Sequence, residues 1–222
     1  MATQYNSLHQ FYSEAAQKIN SVRNQIFYKQ VDLSLNGKTL LDIGCGDGTD
    51  AAYFASQGAI VTGIDPCENF ITSAKEKTPD GQFIIATGEN LPFADQSFDI
   101  VVSKYVLQIS PNLSGTLEEI ARVIKVGGIL LYLVVHPFRQ FIENRRTGKN
   151  YFQSELIDFT IYGGLMTVKE PSHTFSEYFN QHFLNCFQLL AFEEGFDFKS
   201  AEQIGEDIYP TFFLLKAVRK ND

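Results

Sequence analysis

From Leu8 to Ile26 the apolar residues Leu8, Phe11, Tyr12, Ala15, Ile19, Val22 and Ile26 recur at steps of three and four, which places one apolar stripe along a helix. The period then changes. Lys38 to Ile43 (KTLLDI) is a short apolar run ending in a glycine cluster, and Thr49 to Gln57 is Ala-rich and helix-compatible. The same alternation repeats. Strands are predicted over Ala59 to Ile64, Gln82 to Ala86, Phe98 to Ser103 and Ile129 to Val135, with helices over Asn69 to Lys77 and Leu113 to Ile124. After Val135 the rhythm breaks into an aromatic segment running to about Ser176, too long for an ordinary connection. A helix is expected over Tyr178 to Glu194 with Gly195 as its C-cap, then strands near Asp197 to Ile204 and Thr211 to Val218.

Strands alternating with helices imply parallel βαβ units, and near-continuous apolar strands imply a sheet covered on both faces. The expected fold is therefore α/β and doubly wound: a mostly parallel, seven-stranded sheet with an N-terminal helix and an insertion after the fifth strand. One domain is expected over 1–222, with 1–35 as a helical cover and 136–176 as a lid or substrate insertion.

Composition narrows the function classes. A formal charge of -8 disfavours a protein that gains affinity by neutralising phosphates, so nucleic acid is not an expected partner. The basic residues Arg139, Arg145, Arg146 and Lys149 surround Glu143 and read either as a solvated surface or as a site for an anionic group. Cys45, Cys67 and Cys186 lie far apart, without metal-ligand spacing and in odd number, which fits a reducing cytoplasm. No stretch approaches the roughly 18 apolar residues of a membrane span, and no signal-peptide core is evident.

The most informative stretch is Leu40-Leu41-Asp42-Ile43-Gly44-Cys45-Gly46-Asp47-Gly48-Thr49, three glycines at a strand-to-helix turn. Missing Cβ atoms permit positive φ there and let a ligand approach the backbone. The G-x-G-x-G spacing departs from the G-x-G-x-x-G dinucleotide fingerprint, and no P-loop motif is present. Asp65 ends the second predicted strand, 21 residues after Gly44, where a carboxylate accepts hydrogen bonds from ribose hydroxyls. That spacing serves a nicotinamide dinucleotide equally well. Asp65 ahead of Pro66 also reads as a helix N-cap.

Leu41 to Gly48, Gly63-Ile64-Asp65, Glu89-Asn90-Leu91-Pro92-Phe93 with Ser97-Phe98-Asp99, and Glu119-Ile120 to Gly127-Gly128 together resemble a class I S-adenosylmethionine-dependent methyltransferase of small-molecule type. The resemblance covers about Lys38 to Val135. It implies S-adenosylmethionine as cofactor and S-adenosylhomocysteine as product, with Asp42, Gly44 and Gly46 at the methionine end and Asp65 at the ribose. The adenine would meet the loop Thr87-Gly88-Glu89, and Cys45, Pro66 and Ser103 would line the same site. Many relatives carry Asp where this chain has Thr87, a weaker acceptor for the adenine amine.

Methyl transfer is an in-line displacement governed by alignment and exclusion of water; a base is needed only for acceptors that must lose a proton. His136 directly follows the fifth predicted strand and His173 follows the insertion, so both are candidate bases as well as candidate structural histidines. A subset of small-molecule-type methyltransferases is similar in having His-Pro after this strand and a His before a Tyr-bearing helix, matched by Pro137 and Tyr178. Ser103-Lys104-Tyr105-Val106 replaces the Asn/Asp-Pro-Pro-aromatic turn of amide and adenine N-methyltransferases, which argues against those targets. Tyr12, Tyr105, Tyr162 and Tyr178 are candidate walls of a substrate pocket, with core packing as the alternative. The expected activity is methyl transfer to a small molecule; an NAD-dependent oxidoreductase and a non-catalytic S-adenosylmethionine-binding protein are the alternatives.

Overall fold

The computed structural model describes residues 5, 11, 13, 21–31, 34–144, 147–161, 166–196 and 205–221. In chain order these form α1 (Ser21–Lys29), β1 (Thr39–Ile43), α2 (Thr49–Ser56), β2 (Ile60–Asp65), α3 (Glu68–Lys77), β3 (Gln82–Ile85) and β4 (Phe98–Lys104). A single 3-10 turn (Leu107–Ile109) leads to α4 (Leu113–Val123), β5 (Ile124–Val135) and α5 (Pro137–Glu143). The chain ends with β6 (Leu156–Ile161), β7 (Met166–Pro171), α6 (Phe175–Tyr178), α7 (Gln181–Cys186), β8 (Phe187–Gly195) and β9 (Phe212–Arg219). Most of the predicted first helix, with Tyr12, lies outside the described residues, as do Arg145, Arg146, Tyr162 and the predicted strand Asp197 to Ile204.

The main sheet has seven strands in the order β3-β2-β1-β4-β5-β9-β8. β3, β2, β1, β4 and β5 run parallel, while β9 is antiparallel to both β5 and β8. The order reverses between β1 and β4, so the crevice at the carboxyl ends of these strands is the expected ligand position of a doubly wound sheet. The core lies on both faces: Leu41, Ile43, Val101, Leu130, Tyr132 and Phe213 pack on one, and Leu40, Ile100, Val102, Leu131, Leu133 and Phe54 on the other. Burial on two faces explains why these strands read as unbroken apolar runs.

The helix expected over Tyr178 to Glu194 is corrected by the structure. Asn180 caps α7 by accepting a hydrogen bond from the Phe183 amide, the helix stops at Cys186, and Phe187 to Gly195 becomes edge strand β8, paired with β9. Leu189 to Ala191 has adequate helix propensity, and non-local pairing overrides it. Gly195 is not a C-cap either: a Cβ there would stand 2.0 Å from Phe212 Cζ, so close inter-strand packing demands the glycine.

The insertion holds a hairpin of its own. Among the described residues β6 and β7 pair only with each other in a two-stranded sheet, and Ile157 and Phe159 of β6 cluster with Val135. Tyr105 packs against that cluster. The hairpin thus sits over the carboxyl ends of β4 and β5, next to the crevice.

Candidate functional site

The β1–α2 turn is shaped by three glycines with positive φ, at Gly44, Gly46 and Gly48, but for different reasons. A Cβ on Gly44 would come within 2.2 Å of Val106, and one on Gly48 within 2.7 Å of Ala74 in α3. Those two are required by packing. At Gly46 a Cβ would meet nothing within 4 Å, so this glycine faces open space. The Gly44 and Cys45 amides both donate to the Ile64 carbonyl of β2, at 2.8 and 2.9 Å, which ties the turn to the neighbouring strand. The Cys45 thiol is buried, and burial pushes its pKa up, chiefly by desolvation and then by the facing Asp42. It behaves as a small packed group and not as a nucleophile.

Asp65 lies at the centre of the turn. Its Oδ2 accepts from the Gly46 amide at 3.1 Å and its Oδ1 from the Cys67 amide at 2.8 Å. Burial raises its pKa to about 6, partly offset by those two amides. The helix-capping alternative holds only in part: Asp65 caps the turn, whereas the residue preceding α3 is Cys67 and Pro66 stands outside the helix. Each carboxylate oxygen retains a second acceptor position for an incoming hydroxyl.

Asp42, near the end of β1, is fully enclosed, and its Oδ2 has no hydrogen-bond partner among the described residues. Burial raises its pKa well above the ordinary range; Asp50 and Asp65 push the same way and Lys104 opposes them. A buried acceptor left unpaired costs about 1–3 kcal/mol, so the site is built for a donor or cation that satisfies it. An amino acid ammonium is such a group. The orphaned Asp42 oxygen, the open face at Gly46 and the spare acceptor capacity of Asp65 therefore fit the cofactor that the motifs imply.

Beside Asp42 stands a network that sequence reasoning missed. Lys104, at the end of β4, donates to Asp50 Oδ1 at 2.6 Å and to Asn24 Oδ1 at 2.7 Å, and Tyr28 OH donates to the same Asp50 oxygen at 2.5 Å. Tyr28 stacks on Tyr53 with ring centroids 3.8 Å apart. These contacts clamp α1 onto the start of α2. The only hints in the sequence were a lysine ending an apolar strand and Asn24 and Tyr28 one turn apart.

The other predicted contacts are placed as follows. Ser103 is buried and donates to the Ile43 carbonyl at 3.1 Å, bracing the ends of β1 and β4. Thr87 is exposed, Gly88 packs against Thr116, and Glu89 accepts from the Ser110 hydroxyl at 2.7 Å. The motif around Glu119 proves to be a brace: Glu119 accepts from the Leu91 amide, and Arg122 bonds Glu119 and the Leu91 and Phe93 carbonyls, holding the loop after β3. No group of three or more His, Cys, Asp or Glu is placed to hold a metal among the described residues.

Both candidate histidines are committed to bonds. His136 Nδ1 accepts from the Phe138 amide at 3.0 Å, capping α5, while Nε2 meets Glu194 Oε1 at 2.9 Å. With Nδ1 accepting, Nε2 carries the proton, and the ring has no lone pair left for a substrate. Burial holds its pKa below the ordinary range, and Glu194 offsets this only in part. His173 Nε2 bonds the Ser110 carbonyl at 2.9 Å, with Nδ1 3.5 Å from Glu177. In the basic cluster, Arg139 pairs with Glu143 at 3.0 Å and Lys149 donates to the Phe141 and Asn144 carbonyls. These two cations are internal braces.

Comparison with known proteins agrees with this geometry. A family model described as a methyltransferase domain matches residues 41–132. The phthiotriol/phenolphthiotriol dimycocerosates methyltransferase of Mycobacterium leprae (strain TN) is 30% identical over 129 residues, covering 56% of this chain and 48% of that protein. The demethylmenaquinone methyltransferase of Tropheryma whipplei (strain Twist) is 35% identical over 108 residues, covering 48% of this chain and 45% of that one. In these alignments the chain spans about half the length of the curated relatives it matches. An S-adenosylmethionine-dependent methyltransferase structure from Mesorhizobium loti superposes with a TM-score of 0.69 at 20% identity, covering 86% of this chain and 95% of the other, a likeness of fold. Strand order, glycine turn and family match together make residues 41–132 similar to a methyltransferase domain.

Proposed function

We propose that this chain catalyses transfer of the methyl group of S-adenosylmethionine to a small-molecule acceptor. The observation that carries the reading is Asp42: a buried carboxylate oxygen without a partner among the described residues, beneath a glycine turn that opens at Gly46, at the switch point of a doubly wound sheet.

Bound S-adenosylmethionine supplies an electrophilic methyl on a sulfonium. In this reading Asp42 takes the ammonium of the methionine end, Gly46 lets that end lie against the backbone, and Asp65 accepts from the ribose hydroxyls while its bonds to the Gly46 and Cys67 amides hold it in place. The loop Thr87-Gly88-Glu89, braced by Arg122 and Ser110, borders the adenine. Ser103 acts by positioning the ends of β1 and β4. His136 and His173 act as positioning residues too, the first fixing α5 and the second tying the end of the insertion to Ser110. The β6–β7 hairpin and α1 help exclude water from the reacting atoms, which is most of what this displacement requires.

A net charge of -8 supports a small acceptor over nucleic acid. Three free cysteines support a reducing compartment such as the cytoplasm. No helix among the described residues is long and apolar enough to cross a membrane.

The test is titration calorimetry followed by label transfer. Saturable binding of S-adenosylmethionine and S-adenosylhomocysteine, no binding of NAD, and passage of label from the methyl group into a metabolite extract are expected. Binding of NAD in place of the sulfonium compound would overturn the reading.

A further inference from the structure

Beneath the insertion, polar side chains from four elements meet with bonding capacity unused. β7 alternates buried and exposed positions, with Met166 and Val168 inward, and the next inward position is Glu170, fully enclosed. Glu170 Oε1 accepts from Gln140 Nε2 of α5 at 2.7 Å. The Gln140 amide is oriented by that bond and by a second at 3.5 Å to the Pro171 carbonyl, so its own oxygen is left without a partner among the described residues. The hydroxyls of Tyr132 (β5) and Tyr178 (α6) are likewise buried and without partners. Tyr132 and Tyr178 have ring centroids 6.3 Å apart, and the ring of His173, just past the end of β7, stands 6.0 Å from that of Tyr178, so the end of β7 lies beside the two tyrosines. Phe213 lies 5.1 Å from Tyr178, edge to face.

Packing alone does not ask for these residues. Phe at 132 and 178 and an apolar side chain at 170 would fill nearly the same volume with no polar atom left unmatched. Unmatched buried groups gathered at the ligand edge of the sheet mark a site awaiting a partner. The chemistry of that partner follows from the donors and acceptors present. Glu170 and the Gln140 carbonyl accept, the tyrosines do either, and Arg139 is held by Glu143 and lies over the Phe159 ring, 5.3 Å from its centroid. An anion entering here would face a carboxyl and a carbonyl. A cation would find both, together with aromatic rings.

We propose that Tyr132, Gln140, Glu170 and Tyr178 form a buried anchor for an amino group of the methyl acceptor, held as its ammonium by Glu170 and the Gln140 carbonyl. That this amine belongs to the acceptor rests on the methyltransferase reading; that the site takes an amine does not. Burial raises the Glu170 pKa to about 7, against the opposing effects of Gln140 and Arg139, so the carboxyl gives up its proton readily when an ammonium arrives to replace it. Glu170 is carried by the β6–β7 hairpin, which among the described residues shares no strand pairing with the main sheet.

The test uses the full chain labelled with 13C at tyrosine Cζ, with Tyr132→Phe and Tyr178→Phe assigning the two resonances. Titration with methylammonium is expected to move both saturably, acetate is expected to leave both unchanged, and Glu170→Gln should weaken the methylammonium response at least tenfold through loss of the charged acceptor. Resonances that ignore methylammonium, or that follow acetate equally, overturn the anchor. If one Tyr→Phe variant fails to fold, the other variant and Glu170→Gln still decide. Calorimetry with S-adenosylhomocysteine on the same sample separates the two readings: cofactor binding with silent tyrosines sinks only the anchor, and responsive tyrosines without cofactor binding sink only the enzyme.

Discussion

The two halves of the sheet present different kinds of site. At β1 and β2 the ligand is met by backbone: an open turn at Gly46, paired amides on Ile64, and a carboxylate, Asp65, held by two more amides. At β5, β9 and the insertion it is met by side chains: Tyr132 and Tyr178 against the ring of Phe213, and Glu170 bonded to Gln140. Backbone geometry needs particular residue types at fixed spacing, and so it leaves a motif in the chain. A side-chain site draws on positions scattered over 132–213 and can be refilled one residue at a time. One half is suited to a constant cofactor, the other to a variable acceptor.

Substitutions at four positions break or sharpen that contrast. The largest effect is expected at Gly44, where positive φ and a 2.2 Å approach to Val106 coincide. Gly44→Ala should cost about 2–4 kcal/mol of stability, from overpacking and left-handed strain together; thermal unfolding measures it. Gly46→Ala opens on free space, so only the left-handed strain of about 1–2 kcal/mol is expected, while the added methyl blocks the cofactor. Equal destabilisation by the two would refute the division between packing and ligand-facing glycines.

Next comes Asp65. Asp65→Ala should weaken S-adenosylmethionine binding by about 1.5–3 kcal/mol, roughly 10- to 150-fold. Its raised pKa sets the sign of two pH effects. For folding, the proton is held more tightly in the folded chain, so the contribution is fully present below the unfolded value and is lost as pH rises to about 6. For the cofactor, the ionised form is the better acceptor, so affinity should climb as pH rises through about 6 and level off above it. Asp65→Asn should flatten that profile; a profile unchanged by the substitution would contradict the assignment.

The smallest effect is expected at His136. His136→Ala removes the α5 cap and should cost about 1 kcal/mol, without changing cofactor affinity. Its replacement by Asn, which also caps, should recover most of that stability and the methyl-transfer rate together. Recovery of stability without recovery of rate would return His136 to the reacting atoms.

The chain by itself determined the alternation of strands and helices, the doubly wound class, the glycine turn and the acid at the end of β2. Each of these is written in local periodicity or in residues whose backbone freedom has few substitutes. Tertiary structure alone decided that Phe187 to Gly195 is a strand, because its hydrogen bonds come from β9, well beyond the next turn of chain. It also decided that Gly195 answers to Phe212, that both histidines are tethered, that Lys104 joins Asp50 and Asn24, and that Glu170 faces inward. In each case the deciding partner is remote in sequence, and no local pattern carries the free energy of a contact made only when the fold closes.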